Sequence, residues 1–288
     1  MDKLQWDLKQ LCKRNRDGSF STQAARWRIL DLAARELVAL GYVDMRAQSL
    51  KPKHVDALVN FWQGKGLSAS TVKNRLSGLR WWAEKVGKAS VIPADNERIG
   101  VADRVYVGPS GKQLALDADK LVTIENERVK LSLLLQAEFG LRREESIKFQ
   151  PGYAIRDDGL HLKPAWTKGG RARTIPIVTE NQRWVLEQVK NVAGKGSMIP
   201  PDLTYVQQLK IYEAELGKAG ISKAHGLRHA YAQRRYEELT GWKAPHAGGP
   251  KASELTPEQK AQDRAARLAV SEELGHGREE ITAVYLGR

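Results

Sequence analysis

The chain has 288 residues, enough for two domains with cores of their own, and a net charge of +13. Hydrophobic residues at 41% and charged residues at 28% fit a folded globular protein and exclude a disordered one. A single cysteine, Cys12, excludes an internal disulfide framework, and no apolar run approaches the roughly 18 residues of a membrane span, so a cytoplasmic location is expected.

The excess charge is uneven: residues 1–90 carry +9 of the +13. A module this basic points to a polyanionic partner, most simply nucleic acid, whose phosphates it would neutralise. A basic surface serving solubility alone is the other reading.

In chain order, "STQAARWRILDLAARELVALG" predicts a helix with Ile29, Ala33, Leu37 and Leu40 on one face and Gly41 as its stop. "LKPKHVDALVNFWQGKG" predicts a second, with Pro52 in its first turn. The third, "SASTVKNRLSGLRWWAEKVG", sets Val72, Leu76, Leu79, Ala83 and Val86 on an apolar stripe and Lys73, Ser77 and Arg80 on another face. That polar face could lie along a phosphate backbone or simply be solvated. The Trp81–Trp82 pair is expected in the core.

After Gly87 the periodicity dissolves, so residues 1–88 are read as a helical domain, 89–115 as a linker and 116–288 as a second domain. The second domain opens with helical pattern through "LDADKLVTIENERVKLSLLLQAEFG" and "LRREESIKF". Short strands are expected around Ile155, at Leu160–Leu162 and at "RTIPIV", with "TKGGRA" as a turn, and helices return from about Glu180. The fold class expected is mainly α with a small β-sheet: a helical domain followed by a mixed α+β domain.

The sequence carries no P-loop, CxxC pair, HExxH, GxSxG or dinucleotide fingerprint, and so gives no sign of a metal or cofactor site. What it carries is a set of basic residues at structural corners. Arg142 follows a helix end, Lys168 sits in a Gly-rich turn, His225 and Arg228 share a helix face, and His276 lies between Gly275 and Gly277. Tyr285 comes nine positions after His276; on one continuous helix the two would point to opposite faces, and the glycines supply the break that could bring them together. Two arginines, two histidines, a lysine and a tyrosine suit metal-free phosphoryl transfer. A tyrosine hydroxyl attacks the phosphodiester, arginines bind its non-bridging oxygens, a lysine protonates the leaving oxygen and histidines move protons.

These residues, in this order, resemble the tyrosine recombinases, the phage-integrase family of site-specific DNA recombinases. "FGLRREES" resembles the first family box, with Arg142 as its arginine and Glu145 at its acidic position. "TKGGRARTIPI" is similar to the lysine turn and places Lys168, although Lys163 and Arg171 lie close by. "HGLRH" supplies His225 and Arg228, and "ELGHGREEITAVYLG" supplies His276 and Tyr285.

The resemblance implies a helical core-binding domain over one face of duplex DNA and a catalytic domain over the other. Cleavage through a 3′-phosphotyrosyl link would need neither ATP nor metal, so no cofactor is expected. The expected partners are a double-stranded recombination site, a homo-tetramer assembled on two such sites and accessory DNA-binding proteins, on the nucleoid of a prokaryotic cell. Lys73, Ser77, Arg80, Arg171 and Arg173 are the candidate DNA contacts. A DNA-binding relative without strand transfer and a type IB topoisomerase-like relaxing enzyme are the alternatives.

Two departures from the family stand out. Fifty-one positions separate His225 from His276, the excess falling in "TGWKAPHAGGPKASELTPEQ", read as a Gly/Pro-rich loop and then a helix capped by Thr256, Pro257 and Gln259; either it contacts DNA or a neighbouring subunit or it is an inert surface insertion, the reading favoured. His246 lies there and is given no role. Only three residues follow Tyr285, so another segment, the insertion or the N-terminus, is expected to control assembly.

Overall fold

The computed structural model describes residues 2–108, 110–167, 169–276 and 279–288, the Glu279 side chain excepted. It divides into two compact units, Met1–Val105 and Tyr106–Arg288. Among the described residues no helix is long and apolar enough to cross a membrane.

The first unit is helical: α1 Lys3–Arg14, α2 Phe20–Ala39, α3 Pro52–Gly64 and α4 Ala69–Lys85. The three helices expected from periodicity are α2–α4, and their apolar residues close on one core of Leu30, Ala33, Leu37, Leu58, Trp62, Leu76, Leu79 and Trp82. Ile29 gives way to Leu30 as the buried residue of its turn. The helix α1 is an addition to that expectation; Asp2 and Gln5 close a capping box at its start, and Leu4 and Leu8 are buried. Trp82 is fully buried with its indole N–H on the Ala47 carbonyl at 2.9 Å. Trp81 instead lies at the edge, under the Arg26 guanidinium and bonded to Asp17 at 2.7 Å.

The stretch expected as a linker is divided between the units. Ile92 and Val101 are buried in the first core, and Leu114 and Leu116 pack in the second. Irregular backbone carries no period for sequence reading to detect, yet isolated apolar residues in it still bury their surface.

In the second unit the helical pattern before residue 140 is broken. Asn126 caps a new start, giving α5 Ala118–Val122 and α6 Glu127–Phe139. Then come α7 Arg143–Ile147, α8 Pro151–Ala154, the strands β1 Ile155–Arg156, β2 Gly159–Leu162 and β3 Arg173–Ile175, and the helices α9 Glu180–Ala193, α10 Tyr205–Lys218, α11 Gly226–Thr240, α12 Pro257–Glu273 and α13 Glu279–Leu286. The strands form an antiparallel sheet in the order β1-β2-β3, with Leu160 opposite Ile175 and Leu162 opposite Arg173. The result is the mainly helical class with a small sheet that the sequence implies.

The middle of this unit is α6. It buries Leu131, Leu135 and Phe139 in one apolar cluster with the sheet and α9, and Val129 and Leu133 in another with α10. A helix apolar on both sides must lie inside, and it therefore delivers its C-terminal carbonyls to the interior rather than to water.

In the first unit α2 and α4 cross at Gly78, where a Cβ would stand 2.6 Å from Ile29 Cγ2. Gly78→Ala is expected to destabilise the protein by about 1–3 kcal/mol through overpacking. Urea unfolding should show part of that loss recovered in the Gly78→Ala, Ile29→Ala double variant, whose two changes share one contact and so do not add.

Candidate functional site

The site is built where three helix ends meet. Gly140 caps α6 with φ +60, and a Cβ there would stand 2.5 Å from the Tyr231 ring, so the turn is open to glycine on both counts. Two residues on, Arg142 is the N-cap of α7, and Glu145 lies in that helix's first turn.

Glu145 is fully buried, and four donors fill its four lone-pair sites. The Arg142 backbone N–H donates at 2.7 Å and the Arg142 guanidinium at 2.8 Å; the Arg173 guanidinium donates two bonds, at 3.0 and 2.6 Å. Burial raises the pKa of this carboxyl, but the hydrogen bond and charge of Arg173, with the charges of Arg228 and Arg142, outweigh it and hold the group at about 2.

Arg173, a candidate DNA contact in the sequence, is sunk in this cluster with its side chain 5% exposed. Its Nε also donates to the Glu273 carbonyl at 2.8 Å, at the end of α12. The β-register explains the placement: Arg173 pairs with Leu162, and that pairing points its side chain inward.

Arg228, in the first turn of α11, is 1% exposed. Its guanidinium donates to the carbonyls of Gly140, at the end of α6, and of Leu274, at the end of α12. It also donates to His276 Nε2 at 3.2 Å and, through Nε, to the Tyr285 hydroxyl at 3.4 Å. Burial first, then repulsion from Arg142, lowers its pKa to about 10, which still leaves it charged at neutral pH.

Tyr285 on α13 is buried, and its hydroxyl lies 3.5 Å from His225 Nε2 and 3.4 Å from His276 Nε2. Gly275, with φ +67, ends α12 and lets the chain turn before α13, which is how residues nine apart come to share one point. Gly277 and Arg278 lie outside the described residues. The Tyr285 carbonyl accepts from Gln233 of α11 at 3.0 Å.

The proton positions follow from the partners. A guanidinium only donates, so His276 Nε2 accepts, and its Nδ1 carries the ring proton. That lone pair is taken, which leaves His225 Nε2 as the open acceptor for the tyrosine O–H. Burial and the nearby arginines lower His276 to about 3 and push His225 below its ordinary 6.5, so both rings are neutral at neutral pH.

A third imidazole joins them that the sequence reading does not single out. His229, the last residue of "HGLRH", is 3% exposed and its ring lies 4.3 Å from that of Tyr285. Its signal is the four-residue step from His225, which stacks the two on one helix face; burial, then the neighbouring charges, lowers it to about 4.

Lys168 lies outside the described residues. Of its neighbours, Lys163 is engaged elsewhere, bonded to Gln150 at 2.8 Å and set over the Tyr153 and Trp166 rings, and Arg171 is exposed. In the first unit Ser77 is exposed, Lys73 pairs with Asp103 at 2.7 Å, and Arg80 clips the following segment through the Pro93 carbonyl and Asn96.

One further contact holds the α11 end of the site. The Leu114 N–H donates to the Gly226 carbonyl at 3.0 Å, and a Cβ on Gly226 would stand 2.7 Å from the Lys112 carbonyl oxygen. Residues 112–114 thus run flush against the start of α11, beside His225.

Comparison with known proteins bears on both units. The family model described as "Phage integrase, N-terminal" matches residues 1–92, and the model described as "Integrase" matches residues 110–234, a span that holds Arg142, His225 and Arg228. The chain is similar in fold to the Tn1549 transposon integrase in complex with circular intermediate DNA (TM-score 0.58, 13% identity, covering 100% of this chain and 96% of that one). It is similar also to a lambda integrase dimer bound to a COC′ core site (TM-score 0.61, 17% identity, 99% and 96%). A lambda integrase tetramer bound to a Holliday junction gives TM-score 0.55 at 16% identity, over 94% and 78%. A comparison with curated protein sequences gave no match.

The Glu145 cluster sets a pH dependence. Because its folded pKa lies near 2, below the ordinary 4.5, the carboxylate's contribution is complete above about pH 4.5 and is lost as pH falls towards 2. Glu145→Gln, which leaves two guanidinium groups facing a neutral amide, is expected to cost about 3–5 kcal/mol at pH 7. Urea unfolding at stepped pH should show the gap between wild type and variant narrowing below pH 4.5; a gap independent of pH would contradict the assignment.

Proposed function

Since this chain is a tyrosine recombinase, a member of the phage-integrase family, we propose that Tyr285 is its nucleophile and that the surrounding cluster cuts and rejoins specific duplex DNA. The observation that carries this reading is the Tyr285 hydroxyl, 3.4 Å from a buried guanidinium and 3.4–3.5 Å from two neutral imidazoles. Three guanidinium groups face one carboxylate there, so the cluster has positive charge to spare for a phosphodiester.

The roles follow. Arg142, whose side chain keeps a 21% exposed edge, and Arg228 hold the non-bridging oxygens and stabilise the five-coordinate transition state. As the Tyr285 oxygen attacks phosphorus, its proton passes to His225 Nε2. His276, bonded to Arg228, fixes the guanidinium that faces the tyrosine. The P–O5′ bond breaks, and Lys168, the residue the family resemblance puts on the turn, supplies the proton to the departing 5′-oxygen.

The product is a 3′-phosphotyrosyl link and a free 5′-hydroxyl. A 5′-hydroxyl from a partner strand then attacks that link, giving its proton to Lys168 while His225 returns one to the departing Tyr285 oxygen. One phosphodiester is exchanged for another, so the cycle needs neither nucleotide nor metal. A homo-tetramer on two DNA sites is the assembly this reading takes, supported by the lambda integrase tetramer on a Holliday junction.

The test does not depend on the identity of the target sequence: express wild type and Tyr285→Phe in cells, trap covalent complexes with SDS and sequence the attached DNA. Wild type alone is expected to yield DNA joined through a 3′ end, with Tyr285→Phe still binding DNA. Arg142→Ala is expected to lower the covalent yield about 100-fold or more. Equal yields from wild type and Tyr285→Phe would remove Tyr285 from the chemistry, and DNA binding without any covalent product would leave a binding protein.

A further inference from the structure

The segment between α11 and α12, the part of the chain in excess of the family's spacing, packs against α13 rather than standing clear of the fold. It leaves α11 through Gly241 and closes on itself, with the N–H groups of Ala247 and Gly249 both on the Ala244 carbonyl. Ala244 is wholly buried in the same apolar cluster as Tyr285 and Leu286. The turn Pro245–Ala247 packs against α13.

The closest point is at Gly287, two residues beyond Tyr285. A Cβ on Gly287 would stand 2.8 Å from His246 Cδ2 and 3.0 Å from the His246 backbone nitrogen, so the end of α13 lies flush on that residue. His246 is itself anchored: its Nε2 meets the Gly108 carbonyl at 3.1 Å. A carbonyl only accepts, so Nε2 carries the proton, and the buried Nδ1 has no hydrogen-bond partner among the described residues. The imidazole of the partly exposed His246, which makes one of its two hydrogen bonds and has its other nitrogen sealed from water, is held there by packing.

The end of α13 is therefore gripped at three points. Gln233 of α11 holds the Tyr285 carbonyl, Arg267 of α12 holds the Gly287 carbonyl at 2.9 Å, and His246 backs Gly287 from the third side. The Tyr285 hydroxyl meets its partners at 3.4–3.5 Å, the long end of hydrogen-bond reach. A shift of about 1 Å at such a range breaks the contacts and costs on the order of 100-fold in rate.

We propose that His246 is a positioning residue: wedged between Gly108 and Gly287, it seats α13 so that Tyr285 stands in the site of its own chain. This rests on the reading of Tyr285 as the nucleophile.

The experiment compares full-length wild type, His246→Ala and His246→Gln; a glutamine N–H can still donate to the Gly108 carbonyl. Three quantities are measured: covalent DNA trapped by SDS in cells, retention on that same DNA without cleavage, and amide hydrogen exchange across residues 226–240 and 282–287 in the free protein. His246→Ala is expected to lose at least tenfold in covalent yield, to keep DNA retention, and to exchange faster at 282–287 while 226–240 is unaltered. His246→Gln is expected to recover most of the loss.

A covalent yield within twofold of wild type overturns the proposal, as does unaltered exchange at 282–287. Faster exchange over 226–240 as well, without rescue by glutamine, makes His246 a general stability residue and overturns it too. If wild type itself traps no DNA, the recombinase reading fails separately, and exchange at 282–287 still decides whether His246 seats α13.

Discussion

Arg228 carries a full charge in a place almost sealed from water, and a charge so placed persists only when its N–H groups are met. The carbonyls that meet it belong to the last residues of α6 and α12, and helix C-termini hold unpaired, partly negative carbonyls for such a cation to use. The same group reaches Tyr285 on α13. One side chain thus joins the start of α11 to the ends of two helices and to the helix that bears Tyr285, and the course of each is fixed by the need to satisfy it.

Around that cation the charges are graded rather than balanced. Glu145 is the carboxylate of the cluster, and it is spent on Arg142 and Arg173 through four hydrogen bonds. Glu273, close by, is taken by Tyr231 at 2.6 Å and Arg235 at 3.0 Å. Burial, helped by the positive field that remains, keeps three imidazoles neutral, His276 at about 3 and His229 at about 4 among them. Neutral rings can accept protons, and a positive field can receive an anion; the one environment prepares both conditions that the proposed attack of Tyr285 on a phosphodiester needs.

The parts of this arrangement that are legible in the sequence are those that local rules govern. Stripes of apolar residues at helical spacing place α2 to α4, and the nine-residue step from His276 to Tyr285 requires the Gly275 turn. Short motifs single out Arg142, His225 and Arg228. The inward direction of Arg173 is not legible because it depends on strand register, a long-range property: Arg173 pairs with Leu162, and the carboxylate it meets is 28 residues away. His229 passes unnoticed because a histidine on an apolar face is ordinarily core. The loop around His246 reads as inert because Gly and Pro describe the bend of a chain and say nothing of what the bend rests on.

The segment that follows the boundary at Val105 touches the site twice over a short length of chain. At Gly108 it provides the carbonyl behind His246, and at Leu114 it is bonded to Gly226, at the threshold of the helix that bears His225 and Arg228. This strap thus ties the turn behind the end of α13 to the start of α11. The Tyr285 and His225 sides of the cluster therefore share one stretch of backbone, and no link through the core is needed to join them.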